Sequence, residues 1–215
     1  MLRIPLLKKL KRRTHREVGL AQDAVTEAVY KLDSTATLHG GTSIWRCYKG
    51  NRFSDDLDFY LTPKKEFQQE LMEELKLYNM QLAKYKETVN GIYSKIRSEN
   101  AVISLEASFL KKPSRVVREF ERMDGTTMDV LTLTAEDLLM EKLNAFTNRK
   151  LIRDFYDVYY LSSIAEPSRE QKKRIQEALA KRILPVDESN LKAIVITGAV
   201  PSFNEMVQAI KRRIK

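Results

Sequence analysis

The apolar residues of this chain change period several times, and each change marks an element. Between residues 14 and 32, Val18, Leu20, Ala21, Ala24, Val25, Ala28 and Val29 fall on one helical stripe. "TATLHGGTSIWRCY" reads as a short strand, a glycine turn and a helix start over Ile44–Tyr48. "SDDLDFYL" alternates polar and apolar residues over most of its length, the period of a half-buried strand, and Thr62-Pro63 ends it. A long amphipathic helix is expected over 64–88. There Phe67, Leu71, Leu75, Tyr78, Leu82, Tyr85 and Val89 recur three and four apart, with Asn90-Gly91 as the stop. "AVISLEASFL" and "TTMDVLTLT" are two further strands, the first packing through Val102 or Ile103, Leu105 and Phe109. Thr134 with Asp137 has the form of a capping box and opens a helix through Phe146, with Leu138, Leu139, Leu143 and Phe146 inward. A helix around "RDFYDVYYLSSI" follows, and the remainder reads as helical and basic. The order predicts an α+β chain: an α/β domain over residues 1–133 with an N-terminal helix, then a helical C-terminal domain over 134–215.

Composition narrows this picture. The 215 residues are 43% hydrophobic and 31% charged, the profile of a globular chain able to bury a core. No run of about 18 apolar residues occurs, so no membrane span is expected. "MLRIPLLKKLKRR" lacks the apolar stretch and cleavage site of a secretory signal, so a cytoplasmic protein is expected. One cysteine, Cys47, excludes an intramolecular disulfide and a cysteine-built metal site. The net charge of +9 is concentrated in Lys8, Lys9, Lys11, Arg12, Arg13 and Arg16, in Lys172, Lys173, Arg174, Lys181 and Arg182, and in Lys211, Arg212, Arg213 and Lys215. Such clusters attract a polyanion such as RNA, and they equally suit solvated helix faces.

Against that charge, "FSDDLDF" concentrates acid. Residues i and i+2 of a strand share a face, so Asp56 and Asp58 stand side by side, while Leu57 and Phe59 face a core and Asp55 points away. Adjacent carboxylates repel, and a divalent cation relieves the repulsion; oxygen-only ligands suit Mg²⁺, with Mn²⁺ as a substitute. The alternative is a solvent-facing edge strand. Just upstream, Gly40, Gly41, Thr42 and Ser43 precede a helix, where backbone N–H groups and two hydroxyls can cradle phosphate oxygens. A phosphate turn followed closely by Asp-x-Asp describes a site for a nucleoside triphosphate with Mg²⁺. Later in the chain, were one helix to run from Lys142 to Asp157, Arg149 and Arg153 would each lie within about 20° of Lys142 around its axis, making a phosphate-binding face. Asp157 would then pair with Arg153 four residues earlier. An Arg–Asp network joining two helices is the structural alternative. Tyr156, Tyr159 and Tyr160 read as packing residues, as do Trp45 and Cys47, and His39 stands beside the glycines.

"GGTSIWRCYKGNRFSDDLDF" and "LMEKLNAFTNRKLIRDFYDVYYL" resemble the two signatures of the AbiEii toxin family, a branch of the nucleotidyltransferase superfamily with the polymerase β-type catalytic fold. The matching stretch covers roughly residues 38–161. In that pattern Gly41-Thr42 is followed by thirteen residues and then Asp56-Leu57-Asp58. The resemblance implies a small mixed sheet with flanking helices, followed by a helical part that completes the active site. It implies that Asp56 and Asp58 bind metal and that Gly40, Gly41, Thr42 and Ser43 hold the nucleotide phosphates. Glu106 sits where a third, metal-binding carboxylate is expected, with Asp129 as its competitor. Lys142 would serve the nucleotide, and Asp154 and Asp157 form a late acidic motif. Catalysis would then fall to Asp56, Asp58, Glu106, Lys142 and Asp157, with Lys142, Arg149, Arg153 and Asp154 on the nucleotide. The implied activity is Mg-dependent transfer of a nucleotide from an NTP to an acceptor, RNA and in particular a tRNA 3′ end. The implied setting is a toxin–antitoxin or phage-defence system with a cognate antitoxin. Two other uses of the residues stay open: phosphoryl or nucleotidyl transfer to a protein, and a non-catalytic RNA-binding module.

Overall fold

The computed structural model describes residues 4–110 and 114–214; Lys215 of the closing basic cluster lies outside them. The chain forms two compact units. The first comprises residues up to Lys49 together with Phe53–Leu133, and the second Gly50–Arg52 together with the chain from Thr134.

In the first unit the elements run α1 (Leu6–Lys9), α2 (Arg13–Leu32), β1 (Thr37–His39), α3 (Gly40–Cys47), β2 (Asp56–Tyr60), α4 (Phe67–Lys76), β3 (Gln81–Thr88), β4 (Gly91–Arg97), β5 (Val102–Ser108), β6 (Arg115–Glu121) and β7 (Thr127–Leu133). The strands make one mixed sheet in the order β3-β4-β5-β2-β1-β7-β6. The β2–β5 and β1–β7 pairs are parallel; β1–β2, β3–β4, β4–β5 and β6–β7 are antiparallel. The core side of β2 carries Leu57 and Phe59, both fully buried, as the alternation predicts. On α2, Ala21, Val25, Ala28 and Val29 are buried as expected, but Gln22 and Thr26 are buried with them and Leu20 is exposed.

The long helix expected over 64–88 is not there. The helix ends at Lys76, Asn79 takes a left-handed conformation (φ 55°), and the chain enters β3. A β-bulge between Leu82 and Lys84 explains the misleading spacing. The extra residue sets the half-buried Leu82 and Tyr85 three apart rather than two or four, so a strand imitates the helical period. Val89, the last residue of that stripe, is almost wholly exposed in the hairpin loop between β3 and β4. Asn90-Gly91 is thus the end of a hairpin rather than a helix stop. Gly91 is required because the carbonyl of Ala107 on β5 passes where its Cβ would be.

The second unit is helical: α5 (Ala135–Arg149), α6 (Ile152–Leu161), α7 (Arg169–Ala180), α8 (Leu191–Ile194) and α9 (Phe203–Arg213). Thr134 caps α5 by accepting from the Asp137 amide. Phe146, Phe155 and Phe203 pack together at its centre, with ring centroids 4.6 to 6.1 Å apart. Gly50–Arg52 is stitched to this unit through an Arg52–Val195 bridge and hydrogen bonds between Asn51 and Thr197.

Candidate active site

The polar face of β2 is set by sheet register. Asp56 and Asp58, both half-buried, point away from the Leu57–Phe59 core. Glu106 of β5 is the in-register partner of Asp58, and His39 of β1 is its partner on the other side. In-register residues of neighbouring strands lie on the same face with backbones about 5 Å apart. The sheet therefore gathers Asp56, Asp58, Glu106 and His39 on one face. The His39 ring stacks on Tyr60 with centroids 4.2 Å apart. Asp129, the competing third carboxylate, is in register with Glu119 on β6. It lies two strands from β2, and three residues along β7 from Thr132, the register partner of Leu38. That is roughly 10 Å across and 10 Å along the sheet.

The phosphate turn is the first turn of α3. That helix begins at Gly40 itself, four residues before the helix start expected at Ile44, with His39 as its N-cap residue. Gly40 has φ +73°, and a Cβ there would overlap the carboxylate of Asp58. The glycine thus serves two requirements at once: a left-handed backbone, and contact between an Asp58 oxygen and the start of a helix. Thr42 and Ser43 do something other than the sequence suggests. Both are fully buried. The Thr42 hydroxyl donates to the Asp56 carbonyl at 2.5 Å and accepts from Gln22, whose amide also donates to Ser54 O at 2.9 Å. The Ser43 hydroxyl meets that of Thr132, which donates to Leu38 O at 2.8 Å. These hydroxyls lash α3 to the sheet, which leaves backbone N–H groups as the donors a phosphate would meet.

Among the described residues, no three His, Cys, Asp or Glu side chains converge into a ready-made metal cage. Mg²⁺ does not require one, since it is commonly held by one or two carboxylates together with waters and substrate phosphates. Two half-exposed aspartates on one face, with Glu106 in register and a helix start against Asp58, are a donor set of that kind.

The second signature folds differently from the single helix considered above. Lys150, in a left-handed conformation (φ 58°), ends α5, and α6 begins at Ile152. Lys142, Arg149 and Arg153 therefore do not share one helical face. Asp157 pairs with Arg52 rather than with Arg153: Nε and Nη2 of Arg52 donate to its two oxygens, each at 2.6 Å. Lys142 Nζ lies 3.4 Å from Asp157 and 3.9 Å from Asp154, and Arg149 donates to Asp154 at 2.8 Å. Lys142, Arg52, Asp154 and Asp157 are all buried, so this is an ion network joining α5, α6 and the Gly50–Arg52 segment. Arg153 is half-buried on α6. Tyr156 is buried, and Arg213 both stacks on Tyr159 and donates to its carbonyl at 2.7 Å.

Sequence reasoning missed Arg52 and Gln22 as organising residues. Their roles depend on partners 105 and 32 positions away, beyond any local period. Cys47 is a core residue as read, and burial pushes its thiol up to about 12.

The model of the nucleotidyl transferase AbiEii toxin family, type IV toxin–antitoxin system, matches residues 26–213. The chain belongs to that family. It is thus a nucleotidyltransferase toxin by descent, with the transferase activity that family name states. Among solved structures, JHP933 from Helicobacter pylori aligns over 92% of this chain and 90% of its own, with TM-score 0.68 and 18% identity. The nucleotidyltransferase toxin MenT4 (Rv2826c) from Mycobacterium tuberculosis H37Rv aligns over 92% and 82%, with TM-score 0.58 and 19% identity. At these identities the structural likeness speaks for the nucleotidyltransferase fold. No curated protein sequence matches the chain. No helix among the described residues is long and apolar enough to cross a membrane.

Proposed function

We propose that this AbiEii-family chain transfers a nucleotide from an NTP to the 3′ end of an RNA, tRNA being the acceptor the resemblance points to, and that this transfer is its toxic act. The observation that carries the reading is the Asp58 carboxylate resting on Gly40 at the start of α3, with Asp56 two residues away and Glu106 in register. Asp56 and Asp58 would hold Mg²⁺, which when bound stabilises charge on the triphosphate and on the attacking oxygen. Backbone N–H groups at Gly40 and Gly41 receive phosphate oxygens, favoured by the positive end of the helix. The acceptor hydroxyl bonds to the α-phosphorus while the bond to the β-phosphate oxygen breaks, and pyrophosphate departs. Glu106 places negative charge where that hydroxyl loses its proton; its register with Asp58 favours it over Asp129 for this role. Lys142 is proposed to neutralise phosphate charge, with Asp154 and Asp157 fixing its ammonium and Arg52 and Arg149 holding those carboxylates. Family membership implies an antitoxin that counters this activity.

Incubating the protein with Mg²⁺, total RNA and each NTP labelled at the α- or the γ-phosphate tests the reading. RNA labelled by the α-phosphate, with pyrophosphate released, supports it. Label passing from the γ-phosphate would indicate kinase chemistry, and label on polypeptide would indicate a protein acceptor.

A further inference from the structure

The half of the sheet on the far side of β5 from β2 continues the carboxylate face into a basic one. Register carries that face outward from β2. Asp56 is level with Ser104, Lys95 and Lys84, and Asp58 is level with Glu106, Tyr93 and Lys86. One step further along, Arg97 of β4 is level with Gln81 of β3. Tyr93, Lys95 and Arg97 are exposed, alternating with the buried Ile92, Ser94 and Ile96, so the three project on the carboxylate side. Lys84 and Lys86 are exposed on that side too. Lys95 Nζ donates to Ser104 Oγ at 2.5 Å, which draws its ammonium toward the β5–β2 side. Four cations and one tyrosine thus stand two to three strand spacings, about 10–14 Å, from the paired aspartates.

Edge protection accounts for part of this pattern. β3 is an edge strand, and lysines there discourage pairing with another chain. It does not account for β4, which is hydrogen-bonded on both sides yet carries Lys95, Arg97 and a tyrosine that is 53% exposed. Cations tracking a surface with an interleaved aromatic ring are the composition of a single-stranded polynucleotide platform: the charges take phosphates and the ring takes a base face.

We infer that the outer face of β3–β4 binds the acceptor strand, with Tyr93 stacking on an unpaired base and Lys84, Lys86, Lys95 and Arg97 contacting its phosphates, so that the strand's end is led toward Asp56 and Asp58. The inference deepens the function proposed above and rests on it for the direction in which the strand runs; binding to the face can be tested by itself. It differs from the sequence-based expectation, which placed the RNA-attracting charge in the basic clusters near the two ends of the chain.

The test is fluorescence anisotropy of a labelled single-stranded RNA of about ten nucleotides with the full chain, in EDTA, across a salt series. Tyr93→Ala should weaken binding about tenfold, the scale of one lost stacking contact, with the salt slope unchanged, and Tyr93→Phe should restore it. Lys95→Ala/Arg97→Ala should lower the slope of log K against log salt by about 1.4, or 0.7 for each phosphate contact removed. Lys65→Ala/Lys76→Ala removes the same charge just before α4 and at its last residue, and should bind as the parent does. The inference is overturned if the parent chain fails to bind, if the Tyr93 and Lys95/Arg97 variants bind like the parent, or if the α4 variant weakens binding equally. Asp58→Asn separates this from the proposed function: it should bind RNA normally and transfer nothing. Retained transfer in that variant would overturn the catalytic reading while leaving the binding face to stand on the anisotropy.

Discussion

Two groups of carboxylates in this molecule are handled in opposite ways. Asp154 and Asp157 are buried and answered by built-in cations, Arg52 through two hydrogen bonds, Lys142 and Arg149. Asp56 and Asp58 are half-exposed on one strand face, with another carboxylate, Glu106, in register and a helix start against Asp58. Burying a charge is costly unless it is paired, so the first group is arranged for permanence. In the proposed function, the adjacent, half-exposed acids of β2 would hold a cation that arrives with substrate. Both groups look alike in sequence, as Asp-x-x-Asp and Asp-x-Asp, and the surroundings separate them. In the proposed function, Asp154 and Asp157 are positioning residues that act through Lys142.

Several substitutions would break or sharpen that contrast. The largest effect is expected from Asp58→Ala. Transfer should fall by about a thousandfold, the scale of removing a preorganised electrostatic anchor, while circular dichroism shows a native fold. Asp157→Ala should instead lower stability. It leaves the Arg52 guanidinium buried without its carboxylate, and chemical denaturation should show a loss of roughly 3–5 kcal/mol. Replacing both partners, Arg52→Met with Asp157→Leu, should recover most of that loss, because the uncompensated charge is gone. Gly40→Ala should cost about 1–3 kcal/mol from the left-handed backbone, and it should lower transfer as well, since the new methyl displaces the Asp58 carboxylate. Thr134→Ala removes the cap of α5 and should cost about 1 kcal/mol. The smallest effect concerns Cys47: with its thiol buried and pushed up to about 12, alkylation at pH 8 should be slow in the native protein and fast in denaturant.

What could be read from the sequence was whatever depends on neighbours in sequence. The alternation in "DDLDFY" gave the β2 face, and with it the pairing of Asp56 and Asp58. Thr134 was recognisable as a cap because its partner is three residues away. The errors arose where geometry is non-local or where one period imitates another. The bulge in β3 spaced Leu82 and Tyr85 like a helix, and so hid the strand that carries Lys84 and Lys86. With β3 hidden, the basic face beside the carboxylates could not be seen, and the chain's ends drew attention instead. Thr42 and Ser43 looked like phosphate donors because nothing local shows that the Asp56 carbonyl and the Thr132 hydroxyl take them up. Arg153 looked as if it shared a face with Lys142 and Arg149 because no glycine or proline marks the break at Lys150. Arg52 escaped notice because its partner is α6.

The contrast comes down to where a divalent cation binds. Titrating Mn²⁺ into the protein with an NTP present, and following it by paramagnetic relaxation of water protons, reads this directly. The account predicts saturable binding in the parent chain, loss of that binding in Asp56→Asn/Asp58→Asn, and native circular dichroism in both. Undiminished Mn²⁺–nucleotide binding in the double variant would contradict it.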